Sequence, residues 1–327
     1  MDESASDTDI TPAVVDIRGV SRRFGPKVAL DNVSLSVPAG SVFGLVGENG
    51  AGKTTIIKHV LGLLRAQQGT VRVFGKDPVT DPVGVLSRIG YLSEEPDIPG
   101  WMRINELMRY TQAFYPTWDD NFADELRVQF ALDPGLQIKN LSKGQRARAG
   151  LMIALAYRPD LLLLDEPSSG LDPIVRRDIL AAIIRTIADE GRTVLFSSHL
   201  LSEVERVADY VAMVRGGKVV FCDSMDDIKS RHRRIVLEFP TSHSSEPRLP
   251  GALRWEGRGR EWSTVVSRDP KAIEAAAADI GARIVSQTSV SLDDIFVAYS
   301  GAGDLSSRPE CGTSVPSGCR QIVNRTR

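Results

Sequence analysis

The sequence predicts an α/β protein: a parallel sheet covered by helices, a mostly helical subdomain inserted into it, and a small α+β appendix towards the C-terminus. Three observations carry this. Short apolar runs of the kind buried in parallel sheets, 161–164 and 193–196, each lie near a helix-period segment, 173–189 and 201–208. Between about residues 96 and 157 that alternation stops, and three helix-period segments follow one another. After about residue 229 the texture shifts again, to short strand-like runs around one helix-period segment.

Taken in order, residues 1–12 are acidic and polar and read as a tail, with no secretory signal. Runs 14–17, 34–37 and 41–46 alternate or are apolar throughout and are rich in valine, which predicts strands. Pro38-Ala39-Gly40 marks a turn between the last two. A helix is expected over 53–64, then the insert (about 95–157) with helices at 105–114, 119–131 and 142–157. Strands at 234–239, 263–266 and 282–286 and a helix at 270–280 make up the appendix. The expected division is a nucleotide-binding domain over 13–230, the appendix over 231–300, and a disordered tail over 301–327. That tail is rich in Gly, Ser, Pro and Arg and has no apolar periodicity.

Composition excludes several classes. The chain has 327 residues, 42% apolar and 25% charged, enough to bury a full core. Its 40 basic and 42 acidic residues give a net charge of −2, which argues against a nucleic-acid partner and against a polybasic membrane anchor. The longest stretch without a charge, 32–47, is broken by Pro38, Gly40 and Gly44. It falls short of the ~20 apolar residues needed to cross a bilayer. Three cysteines, Cys222, Cys311 and Cys319, are too few for a disulfide scaffold. These features predict a cytoplasmic chain.

Chemistry concentrates in three places. Gly47-Glu48-Asn49-Gly50-Ala51-Gly52-Lys53-Thr54 fits G-x-x-x-x-G-K-[ST] between an apolar strand and a helix. Backbone N–H groups of such a loop, with a helix N-terminus behind them, suit a polyphosphate. Lys53 would bridge the terminal phosphates and Thr54 would ligate Mg²⁺. This is the signature of a P-loop NTPase core. Next, Leu161-Leu162-Leu163-Leu164-Asp165-Glu166 ends a buried strand in two carboxylates, where open α/β sheets bind ligands. Asp165 suits a Mg²⁺ contact, and Glu166 suits general-base or water-orienting work. Last, Leu141-Ser142-Lys143-Gly144-Gln145 opens a helix. Ser142 and Gln145 form a capping-box pattern, and a capped helix start with a glycine in its first turn is also an anion site. Cap and anion site use the same atoms.

These motifs, in this order, resemble the nucleotide-binding subunit of ATP-binding cassette (ABC) transporters over roughly residues 13–225. The resemblance rests on the loop GENGAGKTT, the signature LSKGQ, the strand LLLLDEP, Ser169-Gly170-Leu171-Asp172, and His199 in Phe196-Ser197-Ser198-His199. It implies an ATPase that binds ATP and Mg²⁺ between two paired subunits and powers a separately encoded integral membrane subunit. It would be peripheral on the inner face of the membrane. It further implies that Phe24 stacks on adenine and that residues 47–55, Thr55 included, hold the phosphates. Ser142, Gly144 and Gln145 would touch ATP bound to the opposite subunit, His199 would contact the γ-phosphate, and Asp172 would communicate across the dimer. Glu94 stands where the family usually has a metal-contacting Gln, and Lys143 where Gly is commonest. Ser291–Phe296 and Phe114–Asp119 are similar to segments of exporter-type subgroups; a packed aromatic loop is the plainer reading of the second.

Two rivals remain at this level. One is an ABC ATPase of translation or DNA repair without a membrane partner, and the other is a regulatory ATP-binding module with negligible turnover. Translation types usually carry two cassettes and repair types a long coiled coil, whereas this chain has one motif set and no heptad array. The Asp165-Glu166 pair and His199 favour turnover.

Overall fold

The computed structural model describes residues 13–188, 191–243, 245–267 and 270–301. Residues 1–12 and 302–327, which hold Cys311, Cys319 and all but the first residue of the expected C-terminal tail, lie outside the described residues. The chain divides into two compact units, one running to Cys222 and one beginning at Asp223.

In the first unit, β1 (Ala13–Phe24) and β2 (Lys27–Pro38) form a long antiparallel hairpin. β3 (Val42–Val46) is entirely buried and leads into α1 (Lys53–Val60). β4 (Gln68–Val73) pairs antiparallel with β1, giving a three-stranded sheet of order β2-β1-β4. Pro38–Ser41 therefore does not join neighbours in one sheet; it carries the chain from one sheet to another. The change is anchored by Ser41 Oγ donating to Pro38 O (2.7 Å) and Val42 N donating to Asp209 Oδ2 (2.8 Å). The expected helix over 53–64 stops earlier because Gly62, at φ 69°, ends it with its N–H on His59 O.

After α2 (Pro82–Leu86) and β5 (Ile89–Leu92) comes the helical insert. It holds α3 (Ile104–Gln112), α4 (Asp120–Gln129) and a 3₁₀ turn at Ile138–Asn140, and it continues into α5 (Lys143–Leu155). Each of the three α-helices has a sequence-readable start. Glu106 reaches back to Arg103 N, Asp119 accepts from Phe122 N, and Ser142 accepts from Gln145 N. The end of α5 returns to the main sheet, where a Cβ on Gly90 of β5 would stand 2.3 Å from Ala154 O.

That sheet continues through β6 (Leu161–Asp165), α6 (Pro173–Ala188), β7 (Thr193–Ser198), α7 (Leu201–Val207), β8 (Tyr210–Arg215) and β9 (Lys218–Ser224). Its order is β5-β6-β7-β3-β8-β9, with β5, β6, β7, β3 and β8 parallel. β6 and β7 are buried at every position, as continuous apolar runs in a parallel sheet should be. One core cluster joins Val15 and Leu35 of the hairpin sheet, Leu45, Leu163 and Leu195 of the parallel sheet, and Ile56 and Ile57 of α1.

The second unit contains α8 (Met225–Arg231), β10 (His232–His243), β11 (Ala252–Ser267), α9 (Pro270–Asp279), β12 (Arg283–Ser289) and α10 (Leu292–Gly301). Its antiparallel sheet has the order β11-β10-β12. The second unit begins at Asp223 and takes in α8, which packs against β10. β11 is far longer than 263–266: Glu261–Ser267 pair with β10, whereas none of the residues from Ala252 to Arg260 is buried, so the first part of the strand carries no apolar pattern to read. The last described helix, α10, runs to Gly301.

Candidate functional site

The loop between β3 and α1 is pinned from below. A Cβ on Gly47 would stand 2.3 Å from Val214 O, so only glycine lets the chain pass β8 at this height. Ala51 N donates to Glu48 O (3.1 Å), and Gly217 N donates to Ala51 O (2.9 Å), tying the loop to the turn between β8 and β9. Glu48, Asn49 and Gly50 are exposed at its crest, whereas Ala51 and Lys53 are buried. Thr54 is exposed at the start of α1, and Thr55 O accepts from His59 Nδ1 (2.7 Å).

Lys53 folds back over this loop. Its Nζ donates to Gly47 O (2.6 Å) and Glu48 O (3.3 Å) and lies 2.9 Å from Glu166 Oε1. Both side chains are nearly sealed from solvent, at 5% and 9% exposure. Glu166 sits just past the end of β6 at φ 49°, a left-handed conformation that costs a non-glycine residue energy. Its N–H is held by Ser197 Oγ (2.9 Å), and its Oε2 accepts from His199 N (3.2 Å) and from His199 Nδ1 (2.6 Å). Burial pushes the Glu166 carboxyl up, but the hydrogen bonds and charges of Lys53 and His199 outweigh it and hold the group below the usual carboxylate range.

Asp165 is buried beside it and takes two hydroxyls on one oxygen. Thr54 Oγ1 donates at 3.2 Å and Ser197 Oγ at 2.7 Å. A hydroxyl and a carboxylate are hard oxygen donors of the kind Mg²⁺ takes, and Mg²⁺ usually completes its shell with phosphate and water rather than with a protein cage. The residues thus fit the ion. Glu94 is exposed in the bend after β5; among the described residues no three His, Cys, Asp or Glu lie together so as to hold a metal ion, so Glu94 forms no such cluster with Asp165 and Glu166. Nearby Tyr91 has its phenol pushed up to about 12 by burial and by the Asp165 charge.

Ser142, Gly144 and Gln145 form a separate cluster. Ser142 N donates to Gln145 Oε1 (3.0 Å) while Gln145 N donates to Ser142 Oγ (3.2 Å), completing the capping box. A Cβ on Gly144 would stand 2.8 Å from Val175 Cγ2 and 3.7 Å from Asp172 Oδ2, so α5 starts against the start of α6. Asp172 accepts from Ile174 N (2.9 Å) and Val175 N (3.1 Å), and these bonds lower its carboxyl pKa. The exposed Lys143 reaches over Gly170. Phe24, 44% exposed at the end of β1, has the Arg22 guanidinium 4.8 Å from its ring centroid.

Sequence reasoning missed Ser197, which holds Asp165 and the backbone of Glu166 at once. The signal was available: Ser197 pairs in register with Asp165, and a hydroxyl in a fully buried strand needs a partner. It also missed Ser168, whose Oγ donates to the buried Glu203 Oε2 (2.6 Å).

The family described as ABC transporter matches residues 30–169. The ABC transporter ATP-binding protein NatA of Bacillus subtilis is 33% identical, over 69% of this chain and 96% of that protein. The chain belongs to the ABC transporter ATP-binding proteins. The daunorubicin/doxorubicin resistance ATP-binding protein DrrA of Streptomyces peucetius is 31% identical over 88% of this chain and 92% of its own length, so that likeness extends into the second unit. The bacitracin transport ATP-binding protein BcrA of Bacillus licheniformis is 30% identical over 71% of this chain and 76% of that protein. Among solved structures, an ATP-binding subunit of an ABC transporter aligns at TM-score 0.61 and 26% identity, covering 66% of this chain and 92% of that one. The cassette fold, with its P-loop core and helical insert, is therefore this chain's fold.

Proposed function

We propose that the chain is the ATP-binding and ATP-hydrolysing subunit of an exporter and works as a pair, identical or mixed, on a separately encoded membrane subunit. The observation that carries the chemistry is the constellation of the buried Lys53 and Glu166 with the exposed His199, next to Thr54 and Asp165. The direction of transport is supported by the printed functions of the relatives, drug resistance and bacitracin transport.

In this reading the loop amides of residues 47–55 and Lys53 hold the phosphates, and Phe24 offers its exposed ring to adenine. Thr54 and Asp165 would hold Mg²⁺, which when bound offsets negative charge on the phosphates. Glu166 orients or deprotonates the attacking water, and His199 steadies the terminal phosphate. The exposed Ser142 helix start, with Gly144, Gln145 and Asp172, serves ATP held by the other chain, so each site is completed by pairing.

Among the described residues no helix is long and apolar enough to cross a membrane. Contact with the membrane then falls to the partner. Tagged Glu166→Gln, pulled from detergent-solubilised native membranes with Mg²⁺-ATP, should bring a stoichiometric multi-span polypeptide. A clean soluble dimer, or ribosomal or repair proteins instead, would contradict the transport reading.

A further inference from the structure

The two oxygens of Glu166 are both engaged, and by the two side chains that the ATP reading assigns to the terminal phosphate. Oε1 faces the Lys53 ammonium at 2.9 Å, and Oε2 accepts from the His199 ring (2.6 Å) and from its backbone N–H (3.2 Å). An anion set between a buried ammonium and two N–H donors is in the electrostatic position of a phosphate oxygen. Leaving Lys53 buried without a counter-charge would be costly, so an empty loop needs such an anion.

We propose that Glu166 is the internal stand-in for the terminal phosphate: in the nucleotide-free chain it neutralises Lys53 and occupies His199, and ATP must displace it from both. The proposal deepens the ATP-site reading and rests on it. The surroundings suit an exchange confined to one side chain. The Glu166 backbone is fixed by Ser197, and Asp165 is held separately by Thr54 and Ser197, so only the Glu166 carboxylate has to swing away. The same swing frees that carboxylate for water. The group that activates water is therefore released by the substrate, and only when a phosphate reaches both Lys53 and His199. A diphosphate, one phosphoryl shorter, cannot replace both contacts.

The test is calorimetric titration of the nucleotide-free full chain in EDTA with β,γ-imido-ATP, ADP and adenosine, comparing wild type, Glu166→Gln and Glu166→Asp. Asp keeps the charge but withdraws it by one methylene. Both variants should bind β,γ-imido-ATP on the order of tenfold more tightly than wild type, a difference of ~1.4 kcal/mol. The gain should be smaller for ADP and absent for adenosine. A gain with Gln but not Asp would mean simple charge repulsion, and unchanged affinity in both would mean that no exchange occurs; either overturns the stand-in. If none of the three chains bound the analogue, the ATP-site reading itself would fall, and the stand-in with it.

Discussion

The two halves of the proposed nucleotide site are built differently. The Lys53 half has a buried, internally neutralised centre: Lys53 and Glu166 pair across elements, and Ser197 stitches Asp165 to the backbone of Glu166. The Ser142 half is exposed. Its hydrogen bonds close on its own capping box, and it leaves Lys143 at a helix N-terminus, where a cation is unfavourable without an anion nearby. The first half can hold itself together in a lone chain. In the proposed reading the second acts only on ATP brought by another chain, and a site split this way would make pairing of chains and binding of ATP one event.

The largest expected effect probes the buried half. Glu166→Gln should cut ATP turnover by about 10²–10⁴-fold while ATP still binds; near-wild-type turnover would remove Glu166 from its role. Lys53→Ala should lower turnover by about 10²–10³-fold and abolish measurable nucleotide binding, since it takes away the cation that meets developing charge. The same variant strands a buried carboxylate, so its melting temperature should fall as well.

Ser142→Ala sharpens the contrast from the other side. It should cost about 1 kcal/mol of stability through the lost cap. Turnover should fall, while nucleotide affinity of the unpaired chain should not change. Equal loss in both assays would merge the two halves into one intrachain site.

The smallest effect lies in the second unit. Burial holds the His232 imidazole below its usual pKa, outweighing the bond to Ile228 O and the Asp223 charge, which act the other way. With Nδ1–H donating to Ile228 O (2.7 Å), Nε2 is the acceptor facing Tyr299 OH (3.3 Å). The unfolded chain therefore takes up a proton at a higher pH than the folded one. Stability from this group is complete above about pH 6.5 and is lost as pH falls towards the folded value. Thermal melts should show a smaller acid-induced drop for His232→Gln than for wild type.

How much of this was legible in the sequence depended on distance along the chain. Gly47–Thr54, Ser142–Gln145 and Asp165-Glu166 are contiguous, so loop, cap and strand end could be read locally. The ion pair between Lys53 and Glu166 spans more than a hundred residues and follows from sheet order, which places β3 beside β7 and β7 beside β6. The helices α8 and α10 were passed over although Ser224-Met225-Asp226-Asp227 and Ser291-Leu292-Asp293-Asp294 both carry a capping pattern. Ser224 and Ser291 each accept from the backbone N–H three residues on. Both helices are short and sit beside strand-like runs, so periodicity alone was a weak guide. β4, with three exposed residues before its two buried valines, belongs to the hairpin sheet and carries little hydrophobic pattern of its own.

The central claim is that ATP completes its site between two chains. Light scattering of purified Glu166→Gln with and without Mg²⁺-ATP tests it most directly, using Glu166→Gln/Ser142→Arg as the paired control. The account predicts a shift from the 35.7 kDa chain to twice that mass on adding nucleotide, and no shift in the double variant. A chain that binds ATP yet stays at its single mass, or a double variant that pairs as readily, would contradict it.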